Sequence, residues 1–192
     1  VKTGANGTIQ WSKAYGGTSS DAGNSIIELS TGGFLIGGVS SSYNLAGYDD
    51  MLVIRTDNLG NVLWSQKIGD SLPDNIQQVL ELADGNFLLL GSSFYYNTFN
   101  SNDIVVVKID PAGNLIWTKN IGHNFFDDIG HSVIELPNGN IVIAGQTYTT
   151  TGFLNALVIC FSPSGFLRWN KEIVSSADEV FQKLIYTSDN SI

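Results

Sequence analysis

Apolar residues along this chain come in short runs, four to a set, and the set recurs. Between Asn75 and Gly122 the runs are "NIQQVLEL", "NFLLLGSS", "DIVVVKID" and "NLIWTKNIG". Each is of strand length and is bounded by turn residues. "ADG" joins the first two, and Asp84-Gly85 suits the positive φ of a type I′ hairpin turn. "DPAGN" joins the third and fourth. Pro111 presets φ at the second turn position, and Gly113 takes the left-handed residue after it. No segment keeps an apolar period of 3.6, so no long helix is predicted.

The last of these runs belongs to a sentence written four times: "KTGANGTIQWSKAYG", "RTDNLGNVLWSQKIG", "KIDPAGNLIWTKNIG" and "CFSPSGFLRWNKEIV". Trp11, Trp64, Trp117 and Trp169 follow one another at 53, 53 and 52 residues. Gly7, Gly60, Gly113 and Gly165 each precede the Trp by four. Asp21, Asp74, Asp127 and Asp178 follow it by ten, ten, ten and nine. The turn pairs Gly32-Gly33, Asp84-Gly85, Asn138-Gly139 and Asp189-Asn190 keep the same beat. Four antiparallel strands repeated at this period predict an all-β chain, a β-propeller of four-stranded blades.

Strands a to d run from axis to rim. The tight a–b and c–d turns fall on one face, and the longer b–c and d–a connections on the other. The expected units are 1–20 (strands c and d), three blades at 21–73, 74–126 and 127–177, and the start of another at 178–192, ending in a strand a. A four-bladed ring needs about 212 residues of this repeat. The expectation is therefore a piece of a longer propeller. Other blades of the same chain, or neighbouring subunits, are expected to cover its open edges.

The pattern running from "DIVVVKIDPAGNLIWTKNIG" to "DDIGHSVIELPNGNIVIAG" resembles the bacterial β-propeller repeats of large secreted and cell-surface proteins, over essentially the whole chain. "GNLIW" is more weakly similar to the tryptophan-docking motif of quinoprotein-type propellers. In that motif an Asp stands four residues before the Gly, whereas Asp57 and Asp110 stand three before theirs.

Composition narrows the function. There are 18 acidic residues against 9 basic ones, a net charge of −9, and no Lys/Arg cluster. Nucleic acid needs a cationic track, and an anionic membrane surface needs one too, so neither is an expected partner. No apolar run is long enough to span a bilayer, so no membrane insertion is expected. Cys160 is the only cysteine, which leaves no disulfide framework. It sits in the strand "LVICF", a core position. There is no G-x-S-x-G elbow, H-E-x-x-H helix or phosphate loop, and no catalytic residue is expected.

The four tryptophans fit the wedge between neighbouring sheets, as flat rings at a strict period should. The periodic aspartates are expected to cap loop N–H groups and tie blades together. Ca²⁺ is the cation such oxygen-rich loops would suit, although no EF-hand run is present; otherwise no cofactor or metal is expected. Glu28, Glu81 and Glu135 recur in strand a and predict a partial acidic ring at a solvated channel mouth, with Tyr186 in the fourth place. His123 and His131 flank "NFFDDIG" without a recognised ligand spacing.

Outside the repeat, the long-loop face gathers Tyr43, Tyr48, Tyr95, Tyr96, Phe99, Phe125, Phe126, Tyr148 and Phe153 among Ser, Thr, Asn and Gly. Rigid rings among adaptable polar groups make a recognition surface. The expected function is a non-catalytic interaction or scaffold segment of a secreted or cell-surface protein, binding a protein or glycan there. The alternatives are part of a quinoprotein-like or glycan-processing enzyme, and an architectural spacer or filament subunit.

Overall fold

The structure is a computed structural model. It describes residues 1–43, 47–69, 72–95, 101–122, 126–148, 152–189 and 191–192, with nothing to say of the Tyr95 side chain. Fourteen strands are present among these residues. β1 (Lys2–Thr3) pairs with β2 (Ile9–Trp11). Three four-stranded antiparallel sheets follow. The first contains β3 (Asp21–Glu28), β4 (Phe34–Ser40), β5 (Asp50–Thr56) and β6 (Val62–Ile68). The second contains β7 (Asp74–Glu81), β8 (Phe87–Tyr95), β9 (Ser101–Ile109) and β10 (Leu115–Ile121). The third contains β11 (Asp128–Glu135), β12 (Ile141–Tyr148), β13 (Leu154–Phe161) and β14 (Leu167–Ile173). In each, spatial order equals chain order, so every connection is a hairpin. These are the expected blades of a β-propeller.

The core lies between the blades. The middle strands of each blade are apolar on both faces, because a sheet neighbours them on each side. In the second blade Leu89, Val105 and Val107 pack with Leu35, Met51 and Val53 of the first. Leu88, Leu90, Ile104 and Val106, alternating with them, pack with Ile141, Ile143, Leu157 and Ile159 of the third. Each such side chain contributes roughly 1.5–3 kcal/mol on full burial, so these two layers hold the stack together.

The hairpin turns differ from expectation in type. The Gly85 N–H bonds to the Leu82 carbonyl, while the Leu82 N–H bonds to Asn86. That two-against-one closure is a three-residue loop with Gly85 as the left-handed bulge residue, at φ 79°. A type I′ turn would need positive φ at two residues; here the glycine alone absorbs it. The c–d turns close in the same way. In these, Asp57 accepts the N–H groups of Leu59 and Asn61 at 2.8 Å and the Asn61 side chain at 2.9 Å. Asp110 repeats the arrangement with Ala112 and Asn114. The D-x-x-G-N stretch is thus a self-capped turn.

Each strand a carries a bulge, between Gly23 and Ser25, Ile76 and Gln78, and Gly130 and Ser132. Opposite each bulge strand b has a glycine. A Cβ on Gly38, Gly91 or Gly145 would collide with the facing carbonyl of Ala22, Asn75 or Ile129.

Two end segments depart from the predicted strands. The strand d expected within 1–20 is short, ending at Trp11, since β1 offers only two residues to pair with. The described residues of 178–192 contain no strand, because none of them pairs as a ladder with a second strand. They still occupy a strand-a position: Leu184 packs on Val142, Ala144 and Cys160, and its N–H bonds to the Ser132 hydroxyl at 3.2 Å.

Candidate functional site

The repeated residues are joints between blades. The Trp11 indole N–H donates to the Asn58 carbonyl at 3.3 Å, and that of Trp64 to the Pro111 carbonyl at 3.1 Å. Each ring covers the turn glycine of the next repeat: Trp11 over Gly60, Trp64 against Gly113 and Trp117 over Gly165. Those three glycines are buried, whereas Gly7 is exposed. Trp11 also meets Phe34 edge-on at 5.7 Å, and Trp64 meets Phe87 at 6.5 Å. The Trp117 indole N–H is buried without a hydrogen-bond partner. Trp169 is 38% exposed, with no turn glycine beneath it among the described residues.

Strand c adds a cation to the joint. Arg55 donates to the Pro111 carbonyl at 2.6 Å and lies 5.8 Å over the Phe87 ring. Lys108, 5% exposed, pairs with Asp84 at 2.7 Å and approaches the Pro163 carbonyl at 3.5 Å. Cys160 stands at the same place in the third blade, buried, and burial pushes its thiol pKa up. A raised pKa withholds the thiolate, in keeping with a core residue.

The aspartates cap loops and join blades. Asp127 accepts the Asn102 backbone N–H at 2.7 Å and its side-chain amide at 3.1 Å. Asp178 accepts the Leu154 N–H at 2.9 Å. Asp74 is buried, and its N–H bonds to the Asp49 carbonyl at 2.7 Å. Asp21 accepts the Ser40 and Ser42 hydroxyls and the Gly17 N–H; the Ser40 bond leads the causes that hold its carboxyl below the usual range. Among the described residues no cluster of three or more His, Cys, Asp or Glu forms a metal site.

The acidic ring requires correction. Glu81 accepts the Ser30 N–H and hydroxyl, and Glu135 accepts the Ala83 N–H, all at 2.7 Å. Both carboxylates reach the a–b turn of the preceding blade, while Glu28 has no such bond among the described residues. The corresponding turn residue of the third blade is Pro137, which has no N–H, and the next unit has Tyr186 where the Glu would be. His131 lies in β11 beside the bulge, with its Nε2 3.2 Å from Gln146 Oε1. His123 falls outside the described residues.

The aromatic face resolves into two described groups. Phe126 and Tyr148 lie 5.5 Å apart with their planes at 43°, and the Tyr148 hydroxyl donates to the Gly152 carbonyl at 3.2 Å. Phe153, 38% exposed, follows that loop. Tyr43 and Tyr48 belong to the b–c connection of the first blade and are 53% and 42% exposed. Tyr96, Phe99, Phe125 and the Tyr95 side chain lie outside what is described. Sequence reasoning missed the inter-blade bonds of strand a: Ser25 to the Val79 N–H, and Gln78 to both the N–H and the carbonyl of Val133. Their signal is a polar residue at the bulge of each strand a.

No family model matches the chain, and no curated protein does. Solved structures do match. A Bacteroides caccae protein of unknown function aligns with TM-score 0.56 and 12% identity, over 96% of this chain and 56% of its own. A thermostable family-43 glycoside hydrolase aligns with TM-score 0.54 and 12% identity, over 79% of this chain and 55% of the enzyme. The Hadza microbial sialidase Hz136 aligns with TM-score 0.52 and 14% identity, over 76% and 36%. The chain spans at most 56% of these structures. Likeness at such identities is likeness of fold, and what is shared is the propeller of four-stranded antiparallel blades.

Proposed function

We propose that this chain is an interaction segment of a secreted or cell-surface protein of the bacterial repeat-propeller kind, and that it binds a protein or glycan through its long-loop face. The observation that carries this reading is the set of exposed rings at the long-loop end. The tight-turn face also exposes Leu59 and Phe166, but as single side chains on capped c–d turns. The long-loop end exposes Tyr43, Tyr48, Tyr148 and Phe153. Of its aspartates, Asp21, Asp127 and Asp178 accept loop N–H groups and Asp50 pairs with Lys67. Further blades of the same chain, or neighbouring subunits, cover Trp169 and the outer face of the first blade.

The test is binding to a printed panel of glycans and cell-surface protein ectodomains. The unchanged chain is compared with Phe126→Ala/Tyr148→Ala/Phe153→Ala and with Asn86→Ala/Asn138→Ala on the opposite face. Loss confined to the loop-face variant supports the reading. Equal loss in both, or in neither, overturns it.

The fold likeness to a glycoside hydrolase and a sialidase supports a second reading, part of a glycan-processing enzyme. Hydrolysis of aryl glycosides by the purified chain would favour it. A quinone absorption band would favour a quinoprotein, and concentration-dependent filaments an architectural subunit.

A further inference from the structure

Resting on the reading that the long-loop face binds a partner, we propose that the cleft between the second and third blades holds one ring of a neutral saccharide. The cleft has a volume of about 240 Å³ and is lined by Asn75, Gln77, Ser92, Asn102 and Ile129, with Gly91 and Gly130. It opens where strand a begins, strand b ends and strand c begins, which is the long-loop end of the blades.

Two of its polar residues, Asn75 and Ser92, are not required by the repeat. Asn75 occupies a position filled by Ala22 in the first blade and Ile129 in the third; Ser92 replaces Val39 and Gln146. The fold therefore tolerates apolar residues where this cleft has an amide and a hydroxyl. The Asn75 amide donates to the Ser92 Oγ at 2.6 Å. That bond orients both groups and leaves an amide oxygen to accept and a hydroxyl to donate. Asn102 donates its amide to Asp127, which leaves its amide oxygen as an acceptor. Gln77 is the bulge residue of β7 and is exposed. The corresponding Asn24 donates to the Ile76 carbonyl and His131 meets Gln146, but Gln77 has no such bond.

Hydroxyl groups on adjacent ring carbons each donate and accept, and a set of uncharged amides and hydroxyls matches them. Half-buried Ile129 supplies an apolar floor for the C–H face of a ring. Asp127 links Asn102 of the cleft to the strand that carries Tyr148, bonding the Asn102 amide and the Tyr148 N–H. Among the described residues no charged side chain lines the cleft, and the net charge of −9 disfavours acidic sugars. A volume below the roughly 300 Å³ at which drug-sized sites begin suits a single ring unit.

The experiment is an amide-resolved NMR titration of the 192-residue chain with glucose, galactose, mannose, xylose, arabinose and their short oligomers. Glucuronate and sialic acid serve as charged controls. The expected result is shifts at the side-chain amides of Asn75, Gln77 and Asn102, with affinity about five-fold weaker in Gln77→Ala, the loss of about one hydrogen bond. Gln77 is exposed, so that variant keeps the fold. A neutral sugar that binds Gln77→Ala and Asn75→Ala unchanged, with shifts at Tyr43 and Tyr48 instead, overturns the cleft and leaves the long-loop reading standing. Tighter binding of glucuronate, or no binding by any sugar, also overturns it. In the latter case the ectodomain panel decides the broader reading separately.

Discussion

Glu81 leaves its own blade and accepts both the backbone N–H and the side-chain hydroxyl of Ser30, each at 2.7 Å. The two residues are 51 positions apart, so the bond spans one full repeat. Its removal should be felt as loosening of one blade against the next. Glu81→Ala is expected to cost about 1–3 kcal/mol, as hydrogen bonds to a charged group do. Glu135→Ala, which breaks the single bond to Ala83, should cost less. Denaturant midpoints of the two variants check the ranking.

The tryptophans are equal in sequence and unequal in the structure. Trp64→Ala removes a ring wedged between two blades and a hydrogen bond to Pro111. A loss of about 3 kcal/mol is expected. Trp169→Ala removes a ring that is 38% exposed and should cost no more than about 1 kcal/mol. Equal costs would show that the rings do not act through docking on the next repeat.

Two glycines of the second blade should fail for different reasons. Gly85 has open space around it but φ of 79°, so Gly85→Ala meets backbone strain alone, about 1–2 kcal/mol. At Gly91 a Cβ runs into the Asn75 carbonyl across the bulge, and this backbone atom has nowhere to go. Gly91→Ala should therefore be the more damaging of the pair, by thermal unfolding and by yield of folded protein.

Acid should unpick the c–d turns. The Asn61 side chain, followed by the Asn61 and Leu59 N–H groups, holds Asp57 below its ordinary value of 3.8, and Asn114 leads the same effect at Asp110. Since the folded pKa is depressed, the stabilisation is fully present above the unfolded value. It is lost as pH falls from about 4 through the folded values. Melting temperature followed from pH 7 to pH 2 should drop further for the unchanged chain than for Asp57→Ala/Asp110→Ala. Parallel curves would exclude these two carboxylates as the source.

The sequence by itself determined the architecture of this protein. Trp and Gly at a fixed period, with turn pairs between apolar runs, are local signals, and each blade is made of local hairpins. For that reason the strands of the three full blades, their turn positions and the docking of Trp11, Trp64 and Trp117 were legible along the chain, whereas the strand a expected within 178–192 is absent from its described residues. Turn type was less so, because Asp84-Gly85 fits two closures and only the pairing of Leu82 with Asn86 chooses between them. The tertiary structure alone decided what the polar residues do. Glu81 looks like a channel-mouth charge until the Ser30 turn is placed beside it, and Pro137 explains Tyr186 only once the two are seen to correspond. Asn75 and Gln77 stood out from nothing in the sequence reading, because the cleft they line exists only where two blades meet. Strand order is written in neighbouring residues; contacts between blades join residues a whole repeat apart, and the packing of one sheet on the next brings them into range.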